Sequence, residues 1–354
     1  RRGWSMNRQR SLDSSSLNLR AGDLVEVRSR EEILATLDEQ GRLDALPFMP
    51  EMLQFAGQRF RVFKRADKTC DTIERSGARR MYDTVHLDGL RCDGQAHGGC
   101  QMRCLLFWKE AWLKRLEPRG VETPPLQRES AGCSEAALYR AARVAGGPRG
   151  SAEERFACQA TELLRATRVL RWWDVRQYIR DVRSRNVRLR DVLRGIALAV
   201  FNTIQRHRGG RRYPDIRGAL TKTPAAAFGL CPGDEVRVKP KEGILETLDM
   251  HRRNRGLYFD PEMVRYCGRT FKVLARPKCI IDEQTGRMMT LPTECVILDG
   301  ATCVGDLSIN PNRLFCPRSI YPFWREIWLE RVGDAGATSR PGETEAAGES
   351  GPTL

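Results

Sequence analysis

Alternation of apolar and polar positions marks short strands near both ends of the chain. Leu24-Val25-Glu26-Val27 follows Gly22-Asp23 and sets Val25 and Val27 on one face. Glu235-Val236-Arg237-Val238 follows Gly233-Asp234 in the same way. Gly57 and Gly268 precede second strands, predicted over residues 60–63 and 271–274. A turn rich in charge and glycine comes next, then third strands over residues 84–87 and 295–298. Residues 31–38 and 242–249 are too polar and too leucine-spaced for strands, so they are expected to be short helical insertions.

These paired signals belong to an internal repeat of roughly 100 residues. Ile33-Leu34 matches Ile244-Leu245, and Thr36-Leu37-Asp38 matches Thr247-Leu248-Asp249. Pro50-Glu51-Met52 matches Pro261-Glu262-Met263, and Leu87-Asp88-Gly89 matches Leu298-Asp299-Gly300. All of these keep a constant offset of 211, as do Cys92 and Cys303. Five residues are then inserted in the second copy, and the offset becomes 216. On it Cys100 meets Cys316, Phe107-Trp108-Lys109-Glu110 meets Phe323-Trp324-Arg325-Glu326, and Trp112-Leu113 meets Trp328-Leu329.

The segments Gly-Asp-Leu-Val-Glu-Val and Gly-Asp-Glu-Val-Arg-Val resemble the first strand of SH3/KOW-type barrels. The wider pattern, closed by Phe107-Trp108-Lys109-Glu110-Ala111-Trp112-Leu113, resembles an uncharacterised bacterial family with two such repeats around a helical segment. The resemblance implies an α+β protein, with two SH3-like small β-barrel modules over residues 20–116 and 228–332. KOW-type barrels bind RNA or ribosomal and polymerase proteins, and related barrels serve enzymes as accessory subunits. Fold analogy alone does not choose between these roles.

Between the copies, a Pro- and charge-rich linker over residues 117–131 leads into a helical domain over residues 132–227. Three apolar stripes are expected there: Phe156, Ala160, Leu163 and Thr167; then Trp172, Val175, Tyr178, Ile179 and Val182; then Leu189, Val192, Leu193, Ile196, Val200 and Ile204, widened by Phe201. Asp191 suits the start of the last helix, His207 and Arg208 suit its end, and Gly209-Gly210 stops it.

Charge sharpens the picture of this block. The whole chain carries +15, but residues 131–220 hold 19 Arg, no Lys and only 8 acidic residues. Arg171, Arg176, Arg180, Arg183, Arg211 and Arg212 are therefore expected to bind an anionic partner such as nucleic acid. Two readings stay open. Arginine enrichment also follows from a GC-rich genome, and Trp172 and Trp173 suit either a helix core or stacking on bases.

No apolar run reaches the ~20 residues of a membrane span, so no membrane partner is expected. Residues 1–19 are polar and Ser-rich with no signal-like apolar stretch, and Met6 is an alternative start. Residues 1–19 and 333–354 are expected to be disordered. Twelve Cys without a signal segment imply a reducing, cytoplasmic setting, where thiols serve metals or sit buried.

Cys92, His97, Cys100 and Cys104 supply four soft or borderline ligands within 13 residues, and Gly94, Gly98 and Gly99 let the backbone fold tightly around an ion. The expected ion is zinc, in a structural role, with Cys70 as an alternative fourth ligand. A second zinc site is offered by Cys267, Cys303 and Cys316, completed by Cys279 or Cys295. The phosphate-loop, dinucleotide, His-Glu-x-x-His and Gly-x-Ser-x-Gly patterns are absent. The leading expectation is a non-enzymatic, metal-stabilised binding protein whose barrels and basic block engage nucleic acid or another polyanion. A zinc-dependent enzyme or accessory subunit and a protein-interaction scaffold are the alternatives.

Overall fold

A computed structural model of the chain describes residues 16–116, 132–144, 154–307 and 313–332. The predicted linker, the tail and residues 1–15 lie outside the described residues. What is described is an α+β fold of small antiparallel sheets and separate helices.

In the first module, β1 (Leu24–Val27) is followed by α1 (Arg30–Thr36), then β2 (Arg59–Arg65), β3 (Lys68–Cys70), β4 (Ala78–Arg80), β5 (Thr84–Leu87), β6 (Trp108–Lys109) and β7 (Leu113–Arg115). Ser29 caps α1: its side chain accepts from the Glu32 N–H while Glu32 reaches back to the Ser29 N–H. This is why a short polar segment holds a helix. The sheet runs β6-β5-β2-β1-β7 and is open at both edges.

The helical segment contributes α2 (Glu135–Ala141), α3 (Leu163–Ala166), β8 (Arg168–Leu170), α4 (Arg176–Arg183) and α5 (Leu189–His207). The second module then places β9 (Glu235–Val238), α6 (Lys241–Leu245), β10 (Thr270–Ala275), β11 (Cys279–Ile281), β12 (Met288–Thr290), β13 (Ile297–Leu298) and β14 (Leu329–Arg331). Its sheet, β13-β10-β9-β14, is also open.

The repeat is reproduced in strand register. Val25 pairs with Phe60 and Arg115, and Val236 pairs with Phe271 and Arg331. It is reproduced in the cores as well. Phe48 sits edge-on to Trp108 and Trp112 at 6.1 and 5.0 Å, and Phe259 does so to Trp324 and Trp328 at 6.3 and 5.2 Å. Such ring pairs add about 0.5–1.5 kcal/mol beyond burial. The Trp112 and Trp328 indole N–H groups donate to Thr36 and Thr247 at 3.0 and 2.9 Å.

A buried carboxylate closes each module in the same way. Glu110 accepts from the Leu19 N–H at 2.9 Å and pairs with Arg65 at 2.5 Å. Glu326 accepts from Leu230 at 3.3 Å and pairs with Arg276 at 2.6 Å. Leu19, at the end of the segment expected to be disordered, is fully buried by this tie.

The two copies face each other across a pseudo-two-fold axis. The Cys70 N–H donates to Cys316 Sγ at 3.1 Å, and the Ile281 N–H donates to Cys100 Sγ at 3.3 Å. Cys70 and Ile281 are equivalent in the repeat, as are Cys100 and Cys316. Thr72 and Glu283 are also equivalent, and they hydrogen-bond to each other, which places them at the axis. The interface is thus built like that of an isologous dimer, within one chain.

The helical segment is fastened to both modules. β8 extends the β3–β4 hairpin antiparallel to β4. Asp181 on α4 forms a buried pair with Lys68 at 2.5 Å. Val192 on α5 packs with Leu314 and Phe315 of the second module. The predicted stripe Phe156–Ala160–Leu163–Thr167 does not form one helix: only Leu163–Ala166 is helical, and Phe156 lies in a short strand. Phe156 is drawn instead into a small apolar cluster with Cys100 and Ile281.

Candidate metal centre and basic groove

The loop after β5 folds back at Gly94. Its φ of +77° suits glycine, and a Cβ there would stand 2.1 Å from the Cys100 carbonyl oxygen. A Cβ on the equivalent Gly305 would stand 2.6 Å from the Cys316 N. The His97 N–H donates to the Gly94 carbonyl at 3.1 Å, and the Cys92 N–H to the Cys104 carbonyl at 2.8 Å. These bonds turn His97 inward beside Cys92. A third group arrives from the 3-10 helix Pro50–Phe55, whose Glu51 side chain points into the same place.

Glu51, Cys92 and His97 each bring one ligand atom within 4.8 Å of the others. Cys92 Sγ lies 3.4 Å from His97 Nε2 and 3.5 Å from Glu51 Oε1, and His97 Nδ1 lies 3.7 Å from that oxygen. Glu51 Oε2 and His97 Nδ1 are buried without a hydrogen-bond partner. Burial pushes the Glu51 carboxyl up to about 7 and raises the Cys92 thiol, which the Glu51 charge raises further; burial lowers His97. An oxygen, a sulfur and a nitrogen donor, two of them with orphaned atoms, can hold a metal ion.

Of the four ligands expected from the sequence, Cys92 and His97 meet in this group, while Cys100 and Cys104 stand outside it. Both line the same chamber of about 30 Å³, together with Cys158. Cys100 Sγ is engaged by the Ile281 N–H, and burial pushes Cys104 up to about 12. Glu51 was missed as a ligand. Its signal was the repeated Pro-Glu-Met, which reads as packing until the third dimension brings it to Cys92.

Among the described residues, the second copy forms no comparable group. Cys303 Sγ accepts from the Ile320 N–H at 3.2 Å, and Cys316 sits against Cys70 of the first module. Cys267 is separated from them: it follows the 3-10 helix Pro261–Tyr266 and lies partly exposed beside Lys241 and Glu242. Cys279 lies against the Gly99 carbonyl, and Cys295 is buried near Arg325 and Arg276. The physical reason is visible at Glu262, the counterpart of Glu51. Its Oε2 already accepts from the Val304 and Gly305 N–H groups at 2.6 and 2.9 Å.

The arginines divide between two places. A groove of about 400 Å³ is lined by Arg80, Tyr82, Arg168, Arg171, Trp173 and Arg176, among others. The Arg80 guanidinium lies 4.7 Å over Tyr82, and Arg171 lies 5.3 Å over Trp173. Tyr82 and Trp173 are 47% and 57% exposed, so these rings are surface, not core. Arg176 is paired with Asp174 at 2.8 Å. Arg180 lies outside this lining, and burial and then the like charge of Arg80 lower its pKa. Arg183 is exposed at the end of α4. Arg211 pairs with Asp215 at 3.6 Å, and Arg212 lines a separate small pocket beside Tyr213. Arg80 and Tyr82 come from the first module, so charge counting in the helical segment alone misses them.

No helix among the described residues is long and apolar enough to cross a membrane. No known family model, curated protein or solved structure matches the chain.

Proposed function

We propose that this chain is a metal-stabilised binding protein that holds single-stranded nucleic acid in the groove between β4 and α4. The observation that carries the reading is the pairing, in one groove, of exposed Tyr82 and Trp173 with Arg80, Arg168 and Arg171. A single strand offers both things this lining recognises: phosphates for guanidinium groups and unstacked bases for ring faces. Each stacked base contributes about 1–3 kcal/mol, with little dependence on sequence. Flexible acidic polymers offer the charge without the rings.

The ion proposed for Glu51, Cys92 and His97 is zinc, whose borderline character accepts all three donor types, with Cys104 or Cys100 as the fourth ligand from the chamber wall. Its role is structural. A chamber of about 30 Å³ admits an ion or a water but no substrate. The ion ties the loop after β5 to the 3-10 helix below it, beside the interface with the second module. The two SH3-like modules are proposed as the scaffold that carries both features.

Fluorescence anisotropy with short single-stranded RNA, single-stranded DNA and polyphosphate, at about 50 and 200 mM salt, tests the reading. Both nucleic acids are expected to bind, more weakly at the higher salt, and Trp173→Ala is expected to weaken them but not polyphosphate. Absence of salt-sensitive binding to either nucleic acid overturns the proposal.

A further inference from the structure

Helix α5 leaves an apolar seam open. Leu189, Leu193, Ile196, Val200 and Ile204 recur at spacings of four and three residues, so they line one side of the helix, and Phe201 lies beside them. The six are between 36% and 61% exposed. The face that anchors α5 is a different one. It presents Val192 and Gly195, the latter so close to Phe315 that a Cβ would stand 2.5 Å from the ring. The seam is therefore surplus to what holds the helix in place. It amounts to on the order of 500 Å² of apolar surface, the size of a functional patch.

Charge says what kind of partner covers it. From Arg188 to Arg208 there are five arginines against one aspartate. Arg188 and Arg190 share Asp191, at 3.1 and 3.7 Å, which leaves Arg194, Arg206 and Arg208 without an acidic partner among the described residues. A second copy of this helix would bring a second set of uncompensated arginines against the first. An acidic helix would bring their counter-charges.

We infer that α5 is a docking face for an acidic amphipathic helix of a partner protein, whose leucine-type side chains fill the seam and whose glutamates meet Arg194, Arg206 and Arg208. At 19 residues, α5 offers a straight run of about 28 Å, room for between two and three heptads of such a partner. The face is separate from the groove proposed for nucleic acid, which none of the seam residues lines.

The probe is a fluorescein-labelled synthetic peptide of about 21 residues, with Leu and Ile at the seam positions and Glu beside them. A scrambled peptide of the same composition is the control. The full chain is expected to bind the first peptide and to prefer it at least about tenfold over the scrambled one. Leu193→Glu and Val200→Glu should each weaken binding about tenfold or more. Both residues are exposed, so the variants should keep the wild-type melting profile and oligonucleotide binding. Failure to bind, or equal binding of the scrambled peptide, overturns the inference. So does sedimentation of the wild type as a dimer that Val200→Glu makes monomeric, which assigns the seam to a second copy. Flotation with phosphatidylserine vesicles, abolished by Val200→Glu while the peptide fails to bind, overturns it in favour of a lipid surface.

Discussion

His86 gives the fold a measurable weakness in mild acid. Its ring is fully buried, 4.6 Å from the Phe107 ring and tilted 44° to it, with Nδ1 bonded to the Leu106 carbonyl at 2.9 Å. Burial drives its pKa down to about 3, although the Leu106 bond favours the proton. In the unfolded chain the group titrates near its ordinary value of about 6.5. The neutral ring is therefore the folded form. Above pH ~6.5 neither state takes the proton and the histidine contributes no pH dependence. As pH falls from ~6.5 toward 3, the unfolded chain binds a proton that the folded chain refuses, and stability declines. Between pH 7 and 4.5 the loss amounts to about 2.5 kcal/mol. The second copy indicates the substitution to use, because Ile297 is buried at the equivalent position. Urea unfolding of the wild type and His86→Ile at both pH values gives the comparison. Other groups, Glu51 among them, titrate in both proteins and cancel in the difference. The variant should lose about 2.5 kcal/mol less than the wild type on acidification. Equal losses would refute the reasoning and place the histidine's proton in the folded state as well.

Three further outcomes follow from the geometry. Glu110→Ala should cost about 1–3 kcal/mol by leaving the buried Leu19 N–H without its acceptor, Arg65 keeping Asp67 at 2.7 Å, and Glu326→Ala should cost a similar amount at the Leu230 N–H, Arg276 keeping Glu294 at 2.6 Å; urea titrations read both, and a loss near zero at either would detach that tie from stability. Metal analysis of the purified chain should find one zinc ion per molecule, lost in Cys92→Ser and in His97→Ala but kept in Cys267→Ser. Cys303→Ser should also keep the ion, since the carboxylate beside Cys303 is occupied by backbone N–H groups; two ions per chain would contradict this account of the second copy.

Local pattern and repetition carried much of the fold. The first three strands expected in each copy, the short helices after β1 and β9, and the long α5 lie close to where periodicity places them, because each is decided by neighbours a few residues away, whereas the hairpins β3–β4 and β11–β12 stand where only a turn was expected. The constant offsets of the repeat also survive as strand register. What the sequence hid is decided by contacts between the copies. Phe156 reads as the start of a helical stripe, yet its ring is claimed by Cys100 and Ile281 from the two modules. Cys316 reads as a partner for Cys267, yet its sulfur is taken by Cys70, more than two hundred residues away. The metal group is an intermediate case. Cys92 and His97 were legible from local density, whereas Glu51 was visible only as a repeated residue. The open seam of α5 was legible as apolar but not as exposed, since periodicity does not say whether a stripe has a partner.

Salt dependence separates the phosphate contacts of the groove from its ring contacts. Affinity for a short single-stranded oligonucleotide should be measured across a salt series for the wild type, the Arg168→Ala/Arg171→Ala double variant and Trp173→Ala. Each phosphate contact on a single strand contributes about −0.7 to the slope of log K against log salt. The double variant should therefore flatten the slope by about 1.4, while Trp173→Ala should lower affinity by about 1–3 kcal/mol with its slope unchanged. Slopes and affinities that stay at wild-type values in both variants would contradict the account and remove the groove as the binding site.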